Sequence, residues 1–265
     1  MEHVEVNGTR LAYVDAGPRD GEVVLLSHSL FFDHSMFEPL TALLNEAGYR
    51  TVAYDHRGQG ASAPAADRDE LSMDNLTADA AALIEALEIG PVHAVGNSMG
   101  GFITLRLAAR HPELVRTVAA LGASSEEEHK LAEFAPLVET LGEQGGAPVI
   151  DVLLYIMFGD ASLAVGGPVV EHWREKMLAL GPSIGDAAHQ VIHRTRIVEE
   201  LAGCSVPILA LAGEQDHAYP QPISGSNIAR ATGGRDETVA DAGHSLALEK
   251  PQEAADLLLT FFKSA

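Results

Sequence analysis

Polar and apolar positions alternate near the start of the chain, then settle into a repeated strand–helix rhythm. Short strands are expected at Val4–Val6 and Arg10–Val14, with Asn7-Gly8 between them as a hairpin turn. Val23-Val24-Leu25-Leu26 is continuously apolar, as suits a strand buried on both faces. A helix is expected from about Met36 to Ala47, with Phe37, Leu40, Leu43 and Leu44 on one stripe and Gly48 after it. Thr51–Tyr54 is the next strand, and Met73–Leu87 repeats the helical spacing at Leu76, Ala80, Leu83, Ile84 and Leu87. Val92–Val95 predicts a strand, Ser98–Arg110 a helix and Leu114–Leu121 a strand closed by Gly122. The rhythm resumes at Val206–Leu211, with a helix over Ile223–Arg230, a short strand at Glu237–Val239 and a closing helix over Pro251–Phe262.

Between about Ser124 and Leu201 the strand–helix alternation fails. The stretch is too long for an ordinary loop and carries several amphipathic segments, so it reads as a mostly helical insertion. The pattern predicts an α/β fold with a mostly parallel central sheet covered by helices. Its expected parts are a first core segment 1–123, the insertion 124–201 and a second core segment 202–265.

Composition narrows the classes. The 265 residues carry a formal charge of -21, from 17 Lys+Arg against 38 Asp+Glu. Such a surface repels nucleic acid and anionic membranes. No apolar stretch is long enough to span a bilayer, and no cationic leader precedes an apolar block, so a cytoplasmic protein is expected. Cys204 is the only cysteine, which excludes an intrachain disulfide. Self-association is left open.

The candidate chemistry centres on Gly96-Asn97-Ser98-Met99-Gly100, a Gly-x-Ser-x-Gly run where a strand gives way to a helix. That is the pattern of a nucleophile elbow. A serine hydroxyl needs a base beside it, an acid that orients the base, and N–H donors for an oxyanion. Ser98 is the expected nucleophile and His244, in the loop after the last strand, the expected base. Asp216, after the strand ending near Leu211, is the expected acid; Glu214 and Glu126 are the competing carboxylates. The backbone N–H groups of Met99 and Leu30 are the expected oxyanion donors. Ser29, Phe31, His34, Phe158 and Trp173 are candidate pocket walls.

Other features carry less. His28, His34 and His56, with Asp33 and Asp55, match no strong metal-ligand motif. His189 and His193 would share a helix face, and His217 has no assigned role. Asp55–Gly60 lacks both phosphate-loop and dinucleotide signatures and reads as a structural turn. No metal or cofactor is expected.

Through His28-Ser29-Leu30, Asp55-His56-Arg57-Gly58-Gln59-Gly60, Gly96–Gly100, Asp216 and Asp241-Ala242-Gly243-His244, nearly the whole chain resembles the α/β-hydrolase superfamily. The resemblance implies a helical cap over about 124–201 that shapes an acyl or leaving-group pocket. His28-Ser29-Leu30, Asp33 and Met36-Phe37 look like 3-oxoadipate enol-lactonases, with Trp173 at a comparable aromatic position. Gly48 to Gly60 resembles cofactor-free haloperoxidase-like esterases. The implied activity is hydrolysis of a carboxylic ester or lactone. The acidic surface is awkward for a dicarboxylate, so a less charged substrate is easier to accommodate. The alternatives are a carbon–carbon bond hydrolase acting on ring-cleavage products and a noncatalytic ligand-binding member of the fold. The elbow resembles the former, but the Gly-Pro-Gly oxyanion pattern of that branch is absent and Ser245-Leu246-Ala247 follows His244.

Overall fold

The computed structural model describes residues 1–264. Its eight strands are β1 (Glu2–Val6), β2 (Thr9–Ala16), β3 (Val23–Ser27), β4 (Arg50–Tyr54), β5 (Val92–Asn97), β6 (Val115–Leu121), β7 (Ile208–Gly213) and β8 (Arg235–Val239). They form one sheet in the order β1-β2-β4-β3-β5-β6-β7-β8. β2 pairs antiparallel with both β1 and β4; every pairing from β4 to β8 is parallel. Asn7 and Gly8 both take positive φ, 45° and 71°, as a two-residue hairpin turn requires.

The central strands β3 and β5 are buried along their whole length, which explains the apolar run Val23–Leu26, while the polar His93 of β5 is buried with its Nδ1 2.8 Å from the Thr117 hydroxyl. The helix Met99–Arg110 is buried on nearly every side, and its polar Thr104 and Arg106 are buried with it. The expected Met36–Ala47 helix divides into a 3-10 turn, His34–Phe37, and an α-helix, Glu38–Glu46. Pro39 has no N–H for the Ser35 carbonyl, so that carbonyl accepts the Glu38 N–H instead. The helix expected at Ile223 begins at Ser226 and ends against Gly233, whose φ is 70°. An additional short helix, Leu246–Glu249, precedes Pro251–Phe262.

All eight strands lie outside residues 124–201. Between β6 and β7 run the helices Leu131–Gln144, Ile150–Met157, Asp160–Val165, Pro168–Leu178, Ile184–Ile192 and Val198–Leu201. The loops that follow β3, β5, β6, β7 and β8 emerge at the carboxyl edge of the parallel sheet. Ligand crevices form at that edge in open α/β sheets. Among the described residues, no helix is long and apolar enough to cross a membrane.

Candidate active site

β5 ends at Asn97, and Ser98 makes the turn into the helix with φ 52° and ψ -115°. A serine in that region is strained and is kept there by its surroundings. The flanking glycines let the backbones close up: a Cβ on Gly96 would lie 2.1 Å from the Gly100 carbonyl oxygen, and one on Gly100 would lie 1.9 Å from that of Ser27. The Ser98 N–H donates to the Leu121 carbonyl at 2.8 Å, pinning the elbow to β6.

β7 and β8 deliver the other two groups. Asp216 and His244 are both buried. His244 Nδ1 lies 2.9 Å from Asp216 Oδ2 and 3.1 Å from Oδ1. An ionised carboxylate only accepts, so Nδ1 carries the proton and Nε2 is left as the basic nitrogen. Oδ1 also accepts the N–H groups of Ala218 and Tyr219, each at 2.8 Å. The competing carboxylates are engaged elsewhere. Glu214 accepts the Asp241 N–H, and Glu126 faces Arg196.

Ser98 and His244 line one cavity of about 50 Å³. Its walls include Leu30, Phe31, Phe134, Leu141, Met157 and Val191, and it has no Lys, Arg, Asp or Glu in its lining. Among the described residues, the N–H groups of Leu30 and Met99 have no protein acceptor. Phe31 sits at φ 73°, which turns the chain sharply just after Leu30.

Of the residues expected as pocket walls, Phe31 lines this cavity and four others do not. The Ser29 hydroxyl is turned inward and donates to the Asn97 carbonyl at 3.2 Å. His34 Nδ1 is held at 2.8 Å by Asp55. Trp173 packs on Phe32, ring centroids 4.5 Å apart, beneath the Lys176 ammonium. Phe158 is buried and borders a separate surface cavity with Val165 and Val169. Short-range hydrogen bonding and aromatic packing decide these orientations, and neither can be read from sequence position.

The histidines near the site have structural surroundings. His28 Nε2 accepts the His56 N–H at 3.0 Å, and the two rings lie 4.2 Å apart. Burial lowers the pKa of both, well below the usual value for His56. Asp33, His34 and Asp55 come within metal-ligand spacing of one another. Asp33 is already paired with Lys176 at 2.6 Å, and Asp55 accepts from His34 and Ala61. His217 stacks on Tyr155, and His189 on His193.

Four contributors have no role of their own in the sequence reading, although Asn97 lies within the Gly96–Gly100 run. Asn97 Nδ2 donates to the His244 carbonyl at 2.8 Å. Tyr219, Glu128 and Arg194 form a buried cluster behind Asp216. Glu128 had only its place in an acidic triplet as a signal, and Arg194 had none.

Residues 22–145 match the family model described as alpha/beta hydrolase fold. An enol-lactonase from Burkholderia xenovorans LB400 superposes with a TM-score of 0.90 at 26% identity, covering 99% of this chain and 100% of that one. The 3-oxoadipate enol-lactonase 1 of Acinetobacter baylyi is 29% identical over 262 residues, 97% of this chain and 94% of that protein. The bifunctional esterase/perhydrolase DCH of Acinetobacter calcoaceticus is 29% identical over 245 residues, 84% of each. The chain has the α/β-hydrolase fold. These relatives are named for hydrolytic activities on different substrates.

Proposed function

We propose that the protein is a serine hydrolase of uncharged carboxylic esters or lactones. The observation that carries this reading is Ser98 on its strained turn, sharing one apolar cavity with a His244 already bonded to Asp216. His244 Nε2 takes the Ser98 proton as Oγ attacks the carbonyl carbon. Asp216 holds the imidazole tautomer and stabilises the imidazolium. The Met99 and Leu30 N–H groups receive the oxyanion. The imidazolium protonates the leaving oxygen, and water then attacks the acyl-enzyme with His244 again as base. For a lactone, the leaving alcohol stays tethered to the acyl group.

The cavity lining supports the uncharged substrate class. A free carboxylate on the substrate would meet no Lys or Arg there and would lose its hydration uncompensated. The net charge of -21 adds repulsion at long range. The helices between β6 and β7 act in this reading as a cap, since Phe134, Leu141 and Val191 all come from them.

The test is steady-state hydrolysis of p-nitrophenyl esters of graded acyl length, neutral lactones and an enol-lactone dicarboxylate, with Ser98→Ala as control. Turnover of the neutral substrates, poor turnover of the dicarboxylate and loss of both in the variant are expected. Unchanged ester turnover in Ser98→Ala would refute the mechanism. A dicarboxylate preferred over neutral lactones would refute the substrate class. A dienone ring-cleavage product in the same panel tests the carbon–carbon alternative.

A further inference from the structure

Behind Asp216 lies a cluster that the mechanism above does not use. Glu128 follows β6, Arg194 follows the helix Ile184–Ile192, and Tyr219 lies three residues past Asp216. All three side chains are withdrawn from solvent. The Tyr219 hydroxyl donates to Glu128 Oε2 at 2.6 Å, and Arg194 Nη1 donates to the same oxygen at 2.9 Å. Arg194 Nη1 also lies 3.1 Å from the Tyr219 hydroxyl oxygen.

Burying an ion pair costs hydration that the pairing itself barely recovers, so its presence is a weak argument for stability alone. Its connections suggest another use. Tyr219 is fixed at three points. Its hydroxyl is held by Glu128, its carbonyl accepts from Ser224 Oγ at 2.5 Å, and its N–H donates to Asp216 Oδ1 at 2.8 Å. Its ring lies 5.5 Å from that of His244. The Arg194 guanidinium sits 4.2 Å from the Phe102 ring centroid and 5.2 Å from that of Tyr219. Phe102 donates its N–H to the Ser98 carbonyl, so the same cation also packs against the first turn of the nucleophile's helix. Arg194 further donates to the carbonyls of Glu126 and Val191, joining the loop after β6 to the helical insertion.

We propose that Glu128 and Arg194 are positioning residues that act through Tyr219 to hold the Asp216 carboxylate against His244, and so tie the helical insertion to the orientation of the base. The role rests on the reading of Asp216 as the orienting acid. Two N–H donors on Oδ1 fix the carboxylate plane, and one of them is the backbone of the residue this cluster anchors. Loss of the anchor frees that donor and lets the carboxylate rotate away from Nδ1.

Tyr219→Phe keeps the ring and the backbone N–H while removing the anchoring hydroxyl. Glu128→Gln removes the charge with little change of shape. Both are compared with wild type for kcat and KM on a p-nitrophenyl ester, and for the low-field proton resonance of His244 Nδ1–H. A misplaced catalytic group costs rate steeply, so a fall in kcat of about tenfold with KM within about twofold is expected. The low-field resonance should move upfield or broaden in both variants. Folded Tyr219→Phe with wild-type kcat and an unmoved resonance would overturn the proposal, and this variant decides alone if Glu128→Gln does not fold. The outcomes separate from the parent reading. Turnover persisting in Ser98→Ala defeats the serine mechanism, whereas an unmoved His244 resonance in Tyr219→Phe defeats only the positioning role.

Discussion

Asn97 holds the loop of His244: its Nδ2 donates to the His244 carbonyl at 2.8 Å across 147 positions of sequence. Its own carbonyl accepts from Ser29. One residue beside Ser98 therefore links the elbow to the loop of His244 through its side chain and to the loop of Leu30 through its backbone carbonyl. Asn97→Ala removes the donor and leaves a buried carbonyl unpaired. A fall in kcat of about ten- to a hundredfold is expected, with a smaller change in KM. Asn97→Asp should cost more, because it places an acceptor against an acceptor. Steady-state ester hydrolysis checks both, with circular dichroism to confirm folding.

The second prediction concerns acyl length. Val138 and Ile192 border both the Ser98 cavity and an outer cavity lined by Arg68, Glu139, Asp186 and His189. They therefore stand between the apolar chamber and the polar surface. A 50 Å³ chamber has room for a few waters, so a long acyl chain must pass or displace this pair. Val138→Trp is expected to lower kcat/KM for an octanoate ester about tenfold more than for acetate, within the range that pocket fit can supply. Leu141→Ala should move the preferred acyl length upward. Graded p-nitrophenyl esters measure both.

The parallel sheet was legible because βα repeats leave apolar runs of strand length, as at Val23–Leu26. Ser98, Asp216 and His244 were legible as candidates because their chemistry demands fixed places relative to strand ends. The pocket walls were not. Ser29 could face either the cavity or the backbone of Asn97, and a single hydrogen bond decides between them. Glu128 and Arg194 lie 66 positions apart, on segments without strand periodicity, so only folding reveals their pairing. The 3-10 turn at His34–Phe37 was hidden for a simpler reason: the apolar spacing of Phe37, Leu40 and Leu44 fits a continuous helix, and only Pro39 interrupts its hydrogen bonding.

The third prediction follows from the buried pair His28 and His56. Burial lowers both pKa values, with the neighbouring His28 adding to the effect on His56. The folded chain therefore binds fewer protons here than the unfolded chain. That stability is fully present above the unfolded histidine value of 6.5 and erodes as pH falls toward the folded values. Each such group contributes a slope of up to about 1.4 kcal/mol per pH unit. His34 acts in the opposite direction, because its hydrogen bond to Asp55 raises its pKa. Urea unfolding between pH 7 and 5 should show falling stability in the wild type. His56→Gln should be less stable at pH 7 and show a shallower decline.

Asp33 joins the loop that carries Leu30 to the helix Pro168–Leu178 through its 2.6 Å pairing with Lys176. Burial alone would raise the Asp33 pKa. Hydrogen bonds from Lys176 and Ser35 overcome it and bring the value down to about 2. A carboxyl with a depressed folded pKa stabilises the native state above its unfolded value of 3.8 and loses that contribution as pH falls through about 2. The full shift overstates the pair, since Lys176 is about a third exposed and solvent screens it. Lys176→Met is therefore expected to cost about 1 kcal/mol at pH 7, a gap that narrows below pH 4. The same variant releases one side of the loop holding an expected oxyanion donor. Its kcat should fall by a few-fold, and to a similar extent for short and long acyl esters, because the lost tie orients a backbone N–H and does not reshape the chamber. An acyl-length-dependent loss in Lys176→Met would instead show that this tie shapes the pocket, and comparison with Val138→Trp on the same ester series separates the two.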